Sequence, residues 1–344
     1  MIDFSGWSLE LLIIFFLLSA AVIAVFGSWM TRLADRLADA TGMGEAIMGA
    51  VFLGGSTSLS GITTSVTAAA GGHAELAVSN AVGGIAAQTV FLAVADFAYR
   101  KINLEHAAAS MANMMQGALL VSLLAIPILA ATAPPVTFFQ IHPATFFLVL
   151  LYIFGLKLIN QAKSAPMWKP HYTRETRVDE QEKIDLSRKD LWTTWGKFLT
   201  FGLTIALAGF IVARTGVALS QKTGLSQTIV GVLLTAVATS LPELVTSIAA
   251  VRQGALTLAV GGIIGGNCFD VLFLAFSDVA YREGSIYQAI SNQQIYLMAL
   301  TILLAAVLLL GLLRREKHGI GNIGFESFLI ILLYLIAIGL LFLQ

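Results

Sequence analysis

Charge is scarce in this chain. Asp, Glu, Lys and Arg make up 12% of its 344 residues, about half the share of an ordinary soluble protein. That excludes a typical soluble globular enzyme, and the abundance of apolar residues excludes a disordered chain. An excess of one sign is lacking too: 20 Lys and Arg balance 20 Asp and Glu, so no basic domain for nucleic acid emerges. Cysteine occurs once, at Cys268, which excludes a disulfide framework or a cysteine-based metal site. No His-Glu-x-x-His string is present, as a membrane metalloprotease would need. The segment Ser58-Leu59-Ser60-Gly61 lacks the leading glycine of an intramembrane serine protease motif, and none of His73, His106, His142, His171 and His318 falls mid-span. An enzyme is therefore not expected. What is plentiful is apolar: 57% of the chain is hydrophobic, with a mean hydropathy of +0.84. A lipid bilayer is the solvent that suits this composition. The 31 glycines and seven prolines fit helices in lipid, where Gly and Pro are more frequent than in soluble helices.

A transmembrane helix needs roughly 20 mostly apolar residues. Ten such stretches run near 8–29, 45–70, 76–99, 108–131, 144–159, 197–219, 228–252, 256–281, 292–313 and 323–343. They predict an all-α membrane protein. The first is not read as a cleavable signal peptide, because Asp3 and Glu10 stand where a basic region would. One polar segment, 160–196, interrupts the pattern and carries Lys163, Arg174, Glu175, Arg177, Asp179, Glu180, Glu182, Lys183 and Lys189. Mixed-sign runs of this kind are usually solvated, so it reads as a linker between two halves, 1–159 and 197–344. Lys and Arg collect on the cytoplasmic side. With both termini outside, 17 of the 20 face the cytoplasm together with the linker, and Arg214, Lys222 and Arg282 remain outside. Compact length and no transit peptide point to a prokaryotic plasma (inner) membrane.

Sliding the chain by 182 residues overlays Ile47–Arg100 on Ile229–Arg282 without gaps, with 21 of 54 positions identical. The identities include Thr57-Ser58-Leu59 with Thr239-Ser240-Leu241, Gly83-Gly84 with Gly265-Gly266, and Asp96, Tyr99 and Arg100 with Asp278, Tyr281 and Arg282. Chance likeness between apolar helices would match Leu, Ala and Val, not these. Five spans per half is an odd number, so the second half enters the membrane upside down. Inverted repeats of this kind build many secondary transporters, with the site near the midplane where helices are broken.

Mid-membrane carboxylates are costly and mark function. Thr239-Ser240-Leu241-Pro242-Glu243 lies near the centre of the seventh span. Pro242 cannot donate to the turn before it, which frees carbonyls around Ala238 and Thr239 as cation ligands. In the eighth span, Gly266, Asn267 and Asp270 are spaced to share one helix face. Two carboxylates, hydroxyls, an amide and freed carbonyls make an all-oxygen site of the kind hard cations such as Ca²⁺ choose, with no His or Met for softer metals. Glu243 and Asp270 are the expected metal ligands. Asp96 and Asp278, at span ends, read as caps or salt-bridge partners. Asn80 and Gln116 read as interhelical hydrogen-bonders, and His73 with Glu75 offers too few ligands for a metal.

The string at 239–247 followed by Gly265-Gly266-Asn267-Cys268-Phe269-Asp270 resembles the α-repeats of the cation/Ca²⁺ antiporter superfamily, which holds the sodium/calcium and proton/calcium exchangers. The resemblance implies an alternating-access antiporter that exchanges Ca²⁺, or a related cation, for Na⁺ or H⁺. It implies a site of Thr239, Ser240, Glu243, Asn267 and Asp270 with Thr57, Ser58 and Gln88 of the first repeat. The implied partners are metal cations as substrates and the lipid bilayer, with no cofactor beyond the transported ions. The first repeat departs from the pattern: Ser60 stands opposite Pro242, Gly61 opposite Glu243, Ile85 opposite Asn267 and Gln88 opposite Asp270. A family member usually has one central glutamate per repeat, and this chain has one in all. The expected site is therefore asymmetric, with weakened Ca²⁺ affinity or altered stoichiometry. The alternative is a monovalent-cation-specific or non-transporting relative.

Overall fold

A computed structural model describes residues 4, 6–41, 47–99, 102–164, 170–171, 187–317, 319 and 324–343. The linker charges from Arg174 to Lys183, and Arg100, lie outside them. Among the described residues fourteen helices follow in chain order: α1 Leu9–Thr41, α2 Ile47–Thr57, α3 Leu59–Ala70, α4 Ala74–Ala98, α5 Leu104–Ala108, α6 Met111–Thr132, α7 Pro143–Ser164, α8 Arg188–Thr223, α9 Gln227–Thr239, α10 Leu241–Gln253, α11 Leu256–Asp270, α12 Leu272–Ala280, α13 Asn292–Arg314 and α14 Phe325–Leu341. A 3₁₀ turn, Ile286–Gln288, precedes α13. Among the described residues there is no strand, only an isolated bridge between Phe138 and Ile141.

Among the described residues seven helices are long and apolar enough to cross a membrane, eight when the pair α9 and α10, bent by 49°, counts as one broken span. The expected second span is divided at Ser58 into α2 and α3, and the expected tenth is the 17-residue α14. Two boundaries move well outward. The first span, read as 8–29, runs to Thr41, and the sixth, read as 197–219, runs from Arg188 to Thr223. Hydropathy marks where apolar residues stop, but a helix stops where its end groups are satisfied. For α8 those signals are the Ser187 hydroxyl accepting from the Asp190 amide, and Gly224 closing the far end at a φ of 74°. The two long helices also lie against each other, with Phe26 of α1 edge-on to Phe201 of α8 at 5.3 Å.

The most apolar helix is not the most buried. Within their apolar windows α4 is 83% buried and α11 with α12 72%, against 28% for α1. The two copies of the glycine-bearing repeat segment therefore form the interior, and α1, α7 and α8 turn apolar side chains such as Leu17, Leu18, Leu150 and Leu203 outward. Glycines let the inner helices approach. A Cβ on Gly83 of α4 would lie 2.9 Å from Val232 Cα, and one on Gly231 would lie 2.5 Å from Ser79 Cβ, both too close to tolerate. Gly27 does the same for α1 where it crosses Pro242.

The sequence repeat recurs in the contacts. Asp278 ends the second repeat segment and accepts from the amides of Ile286 (2.9 Å) and His142 (2.8 Å) and from the Thr145 hydroxyl (2.6 Å). Asp96, 182 residues earlier, accepts from the amides of Leu104 (2.8 Å) and Gly324 (3.2 Å). Leu104 and Ile286 are one repeat apart, and so are His142 and Gly324. Each aspartate thus ties the end of its own repeat's helix to the start of a helix from the other half, the capping role the sequence suggested. Side-chain acceptors on main-chain amides at helix starts satisfy donors that have no partner inside the helix.

Candidate functional site

Both copies of the repeat interrupt their helix at the Thr-Ser pair. Ser58 separates α2 from α3, and Ser240 separates α9 from α10. Upstream of Ser240 the chain widens into π turns over Val230–Thr235, and downstream Pro242 opens α10. A proline in the first turn costs no hydrogen bond there, which is why the break settles one residue before Leu241. Glu243 follows in that first turn, where the positive end of the helix dipole favours a carboxylate.

Between the two breaks lies a cavity of about 10 Å³ lined by Ser58, Gly61, Asn80, Gly84, Gln88, Thr239, Ser240, Glu243, Asp270 and Phe273. That is about the room one water-sized sphere needs. Both carboxylates line it and both are buried, Glu243 at 8% exposure and Asp270 at 2%. Asp270 is held by the other repeat. The Ser58 hydroxyl donates to its Oδ1 at 2.5 Å, and the Gln88 amide donates to its Oδ2 at 2.7 Å and reaches the Ser240 hydroxyl at 3.3 Å. Gln88 stands one repeat from Asp270, so equivalent positions of the two repeats meet. Glu243 Oε2 and Gln88 Oε1, by contrast, are buried without a hydrogen-bond partner. Buried orphan acceptors of this kind are rare in a folded chain. Together with the hydroxyls they are an oxygen-only donor set suited to a hard cation.

Of the residues singled out from the sequence, Thr239, Ser240, Glu243, Asp270, Ser58 and Gln88 come together around the cavity. Thr57 does not. Its hydroxyl turns back onto the Gly54 carbonyl at 3.1 Å. Asn267 also stands off the lining, its amide donating to the Thr89 hydroxyl at 3.2 Å with Oδ1 unpartnered. The carbonyl of Thr239, expected to be freed by Pro242, accepts from the Ser60 hydroxyl at 3.0 Å, which leaves it one lone pair. Asn80 bonds between helices, to the Ser65 hydroxyl at 2.9 Å and the Gly61 carbonyl at 3.4 Å, and lines the cavity as well.

Sequence reasoning missed Phe273. Its ring, 4% exposed, fills the space that a side chain at Gly61 would take: a Cβ there would lie 3.0 Å from Cζ and closer still to Cε2. Gly61 is the position opposite Glu243. The signal was present as the smallest residue standing where the other repeat carries a large one, but nothing in one sequence says what fills the gap. His73 meets Gln227 at 3.1 Å. Burial, then the nearby Arg214, pushes its imidazole below the usual histidine range. Among the described residues no group of three or more His, Cys, Asp or Glu converges for a metal, so a cation in the central cavity would be held by two carboxylates and neutral oxygens.

Apolar spans enclosing a small acidic cavity at paired helix breaks define the class of a helical membrane protein. The chain belongs to the sodium/calcium exchanger protein family, which it matches over residues 11–158 and 193–343. The family's members are exchangers, and the two matched blocks leave out most of the charged linker. Its relatives include the sodium/calcium exchanger MaX1 of Methanosarcina acetivorans, 27% identical over 142 residues covering 39% of this chain and 41% of that protein. Another is the inner membrane protein YrbG of Escherichia coli, 29% identical over 177 residues, 51% of this chain and 52% of that protein. The chain spans about half the length of these curated relatives. In fold it is similar to the H⁺/Ca²⁺ exchanger CAX, with a TM-score of 0.72 at 14% identity, covering 96% of this chain and 82% of that one. It is also similar to the sodium-calcium exchanger NCX_Mj, with a TM-score of 0.62 at 19% identity, covering 96% and 99%.

Proposed function

We propose that the protein is a secondary cation antiporter that exchanges Ca²⁺, or a related hard cation, for Na⁺ or H⁺ by alternating access. The observation that carries this reading is the cavity between the two helix breaks, where Glu243 and Gln88 keep unpartnered oxygens beside Asp270. Ten spans arranged as two inverted halves, 1–159 and 197–344, place that cavity near the midplane. The 49° bend between α9 and α10 supports the broken-helix architecture such transporters use. Thr239, Ser240, Glu243 and Asp270, with Ser58 and Gln88, form the inner ligand set; Asn267 and Thr57 stand behind them as supports. The ion is cargo, and no resident cofactor is invoked. Both termini lie outside, the linker is cytoplasmic, and the membrane is a prokaryotic inner membrane. The balance of Lys and Arg supports that orientation.

Flux in proteoliposomes tests the proposal. Imposed Na⁺ and H⁺ gradients are applied in turn, and one of them is expected to drive uptake of radioactive Ca²⁺. Uptake indifferent to both gradients rejects exchange. A monovalent cargo is favoured by one specific feature: Phe273 closes the half-site at Gly61, which leaves a single glutamate. Cation-dependent melting separates the readings, since a ligand stabilises the state that binds it. Stabilisation by Na⁺ or K⁺ but not by Ca²⁺ selects the monovalent reading.

A further inference from the structure

At the end of the bundle where Asp96 caps α5 and α14, two glutamates lie inside the protein. Glu105, in α5, is 1% exposed, and Glu326, in the first turn of α14, is fully buried. None of their four carboxyl oxygens has a hydrogen-bond donor among the described residues. The two carboxyls nonetheless lie beside each other. Two ionised carboxylates in contact, out of water and without donors, repel and leave every oxygen unsatisfied. Asp96 supplies no relief, because its own oxygens accept the Leu104 and Gly324 amides.

We propose that Glu105 and Glu326 form a proton-binding carboxyl pair, one proton held between them, separate from the cation cavity. A single proton turns one oxygen into a donor and its neighbour into a satisfied acceptor, and it removes one of two like charges. Carboxylates that share a site cannot both ionise readily.

The repeat supplies an internal comparison. One repeat away from Glu105 stands Tyr287, and one repeat away from Glu326 stands Ala144. At that opposite end the Thr145 hydroxyl lies 3.2 Å from the Tyr287 hydroxyl beside Asp278. The same fold position is thus neutral and hydrogen-bonded at one end and doubly acidic at the other. Room for the acid is built in, since a Cβ on Gly311 of α13 would fall 2.5 Å from Glu326 Cγ.

The charged groups facing the pair are few. Asp96 comes from α4, His106 from α5 itself, and Arg314, Arg315, Glu316 and Lys317 from the end of α13. The His106 ring bonds to the Arg315 carbonyl at 2.7 Å, Arg315 donates to the His106 carbonyl at 3.1 Å, and Arg314 pairs with Glu316 at 3.2 Å. Among the described residues no ion pair reaches either glutamate. α11 packs against α5 with Leu256, Ala259 and Val260, and its titratable residues, Cys268 and Asp270, lie at its far end. Burial, then the Asp96 and Glu326 carboxylates, pushes the Glu105 carboxyl well above the ordinary range.

The test is infrared spectroscopy of the purified full chain across pH, comparing wild type with Glu105→Gln and Glu326→Gln. Wild type is expected to show protonated-carboxyl carbonyl intensity near pH 7 that falls by about one carboxyl per chain in each single variant. The inference is overturned if both variants retain the wild-type band intensity near pH 7. It is equally overturned if added Mg²⁺ or Ca²⁺, rather than pH, removes the band in wild type and the effect requires Glu105. Should one variant fail to fold, the wild-type titration read against the other variant decides. Cation flux through the central cavity is a separate readout, so failure of the antiporter reading leaves this test intact.

Discussion

Gly61→Ala is the sharpest probe of the asymmetric site. The added methyl would sit 3.0 Å from Phe273 Cζ, 3.4 Å from Cδ2 and nearer still to Cε2, where carbon atoms prefer about 3.5–4.0 Å. The ring is buried and packed in the core that joins α4, α7 and α12, so it cannot swing into solvent. Overpacking of this kind costs about 1–3 kcal/mol. Phe273→Ala alone leaves a void and costs about 3–5 kcal/mol. If the ring occupies the space of the absent side chain, Gly61→Ala in the Phe273→Ala background is neutral to within about 0.5 kcal/mol, and the cycle shows a coupling of about 1–3 kcal/mol. Thermal unfolding of the four purified proteins in one detergent measures the cycle. Additive effects would refute the contact. The same geometry predicts that Gly61→Glu is tolerated only together with Phe273→Ala. That double variant, carrying a third carboxylate in the cavity, gains dication-dependent stabilisation over Phe273→Ala alone.

Other perturbations follow from the same contacts. Glu243→Gln keeps the shape of the cavity and removes one of its two charges; truncating one side of a buried charge pair costs about 2–5 kcal/mol, so Ca²⁺-dependent stabilisation and flux fall by at least about tenfold, and unchanged flux rejects Glu243 as a ligand. Asp278→Asn and Asp96→Asn each leave main-chain donors without acceptors, at about 1–3 kcal/mol per buried group. The Asp278 variant melts lower because that carboxylate accepts from two amides and two hydroxyls, Asp96 from two amides; the reverse ranking in thermal unfolding would contradict this. For Glu105 the folded state holds its proton above the unfolded value of about 4.3. Its favourable contribution is therefore complete below that value and is lost as pH rises through the folded one. The stability of Glu105→Gln relative to wild type is expected to rise as pH increases above that unfolded value, and a melting-temperature difference that stays flat with rising pH would argue against it.

The span pattern was legible because hydropathy is a local property of twenty-residue windows. The positions of α4, α6 and α13 match their expected boundaries to within about three residues. α1 and α8 overran theirs, because capping and mutual packing end a helix, not the last apolar residue. The Thr-Ser breaks and the two carboxylates could be read from Pro242 and from the repeat. Thr57 could not be placed, since a hydroxyl in a helix chooses between the cavity and its own turn, and sequence spacing is the same for both.

Composition and repetition alone determined that the chain lives in lipid, that its halves share one ancestral pattern, and that Glu243 and Asp270 are its exceptional residues. They do so because the cost of a polar group in hydrocarbon depends on residue type before any contact is known. Tertiary structure decided which oxygens remain available. Ser58 reaches Asp270 across 212 residues and Ser60 reaches the Thr239 carbonyl across 179, while Phe273 fills the space beside Gly61. Such pairings depend on how two helix breaks cross in space, and chain order does not encode that crossing locally.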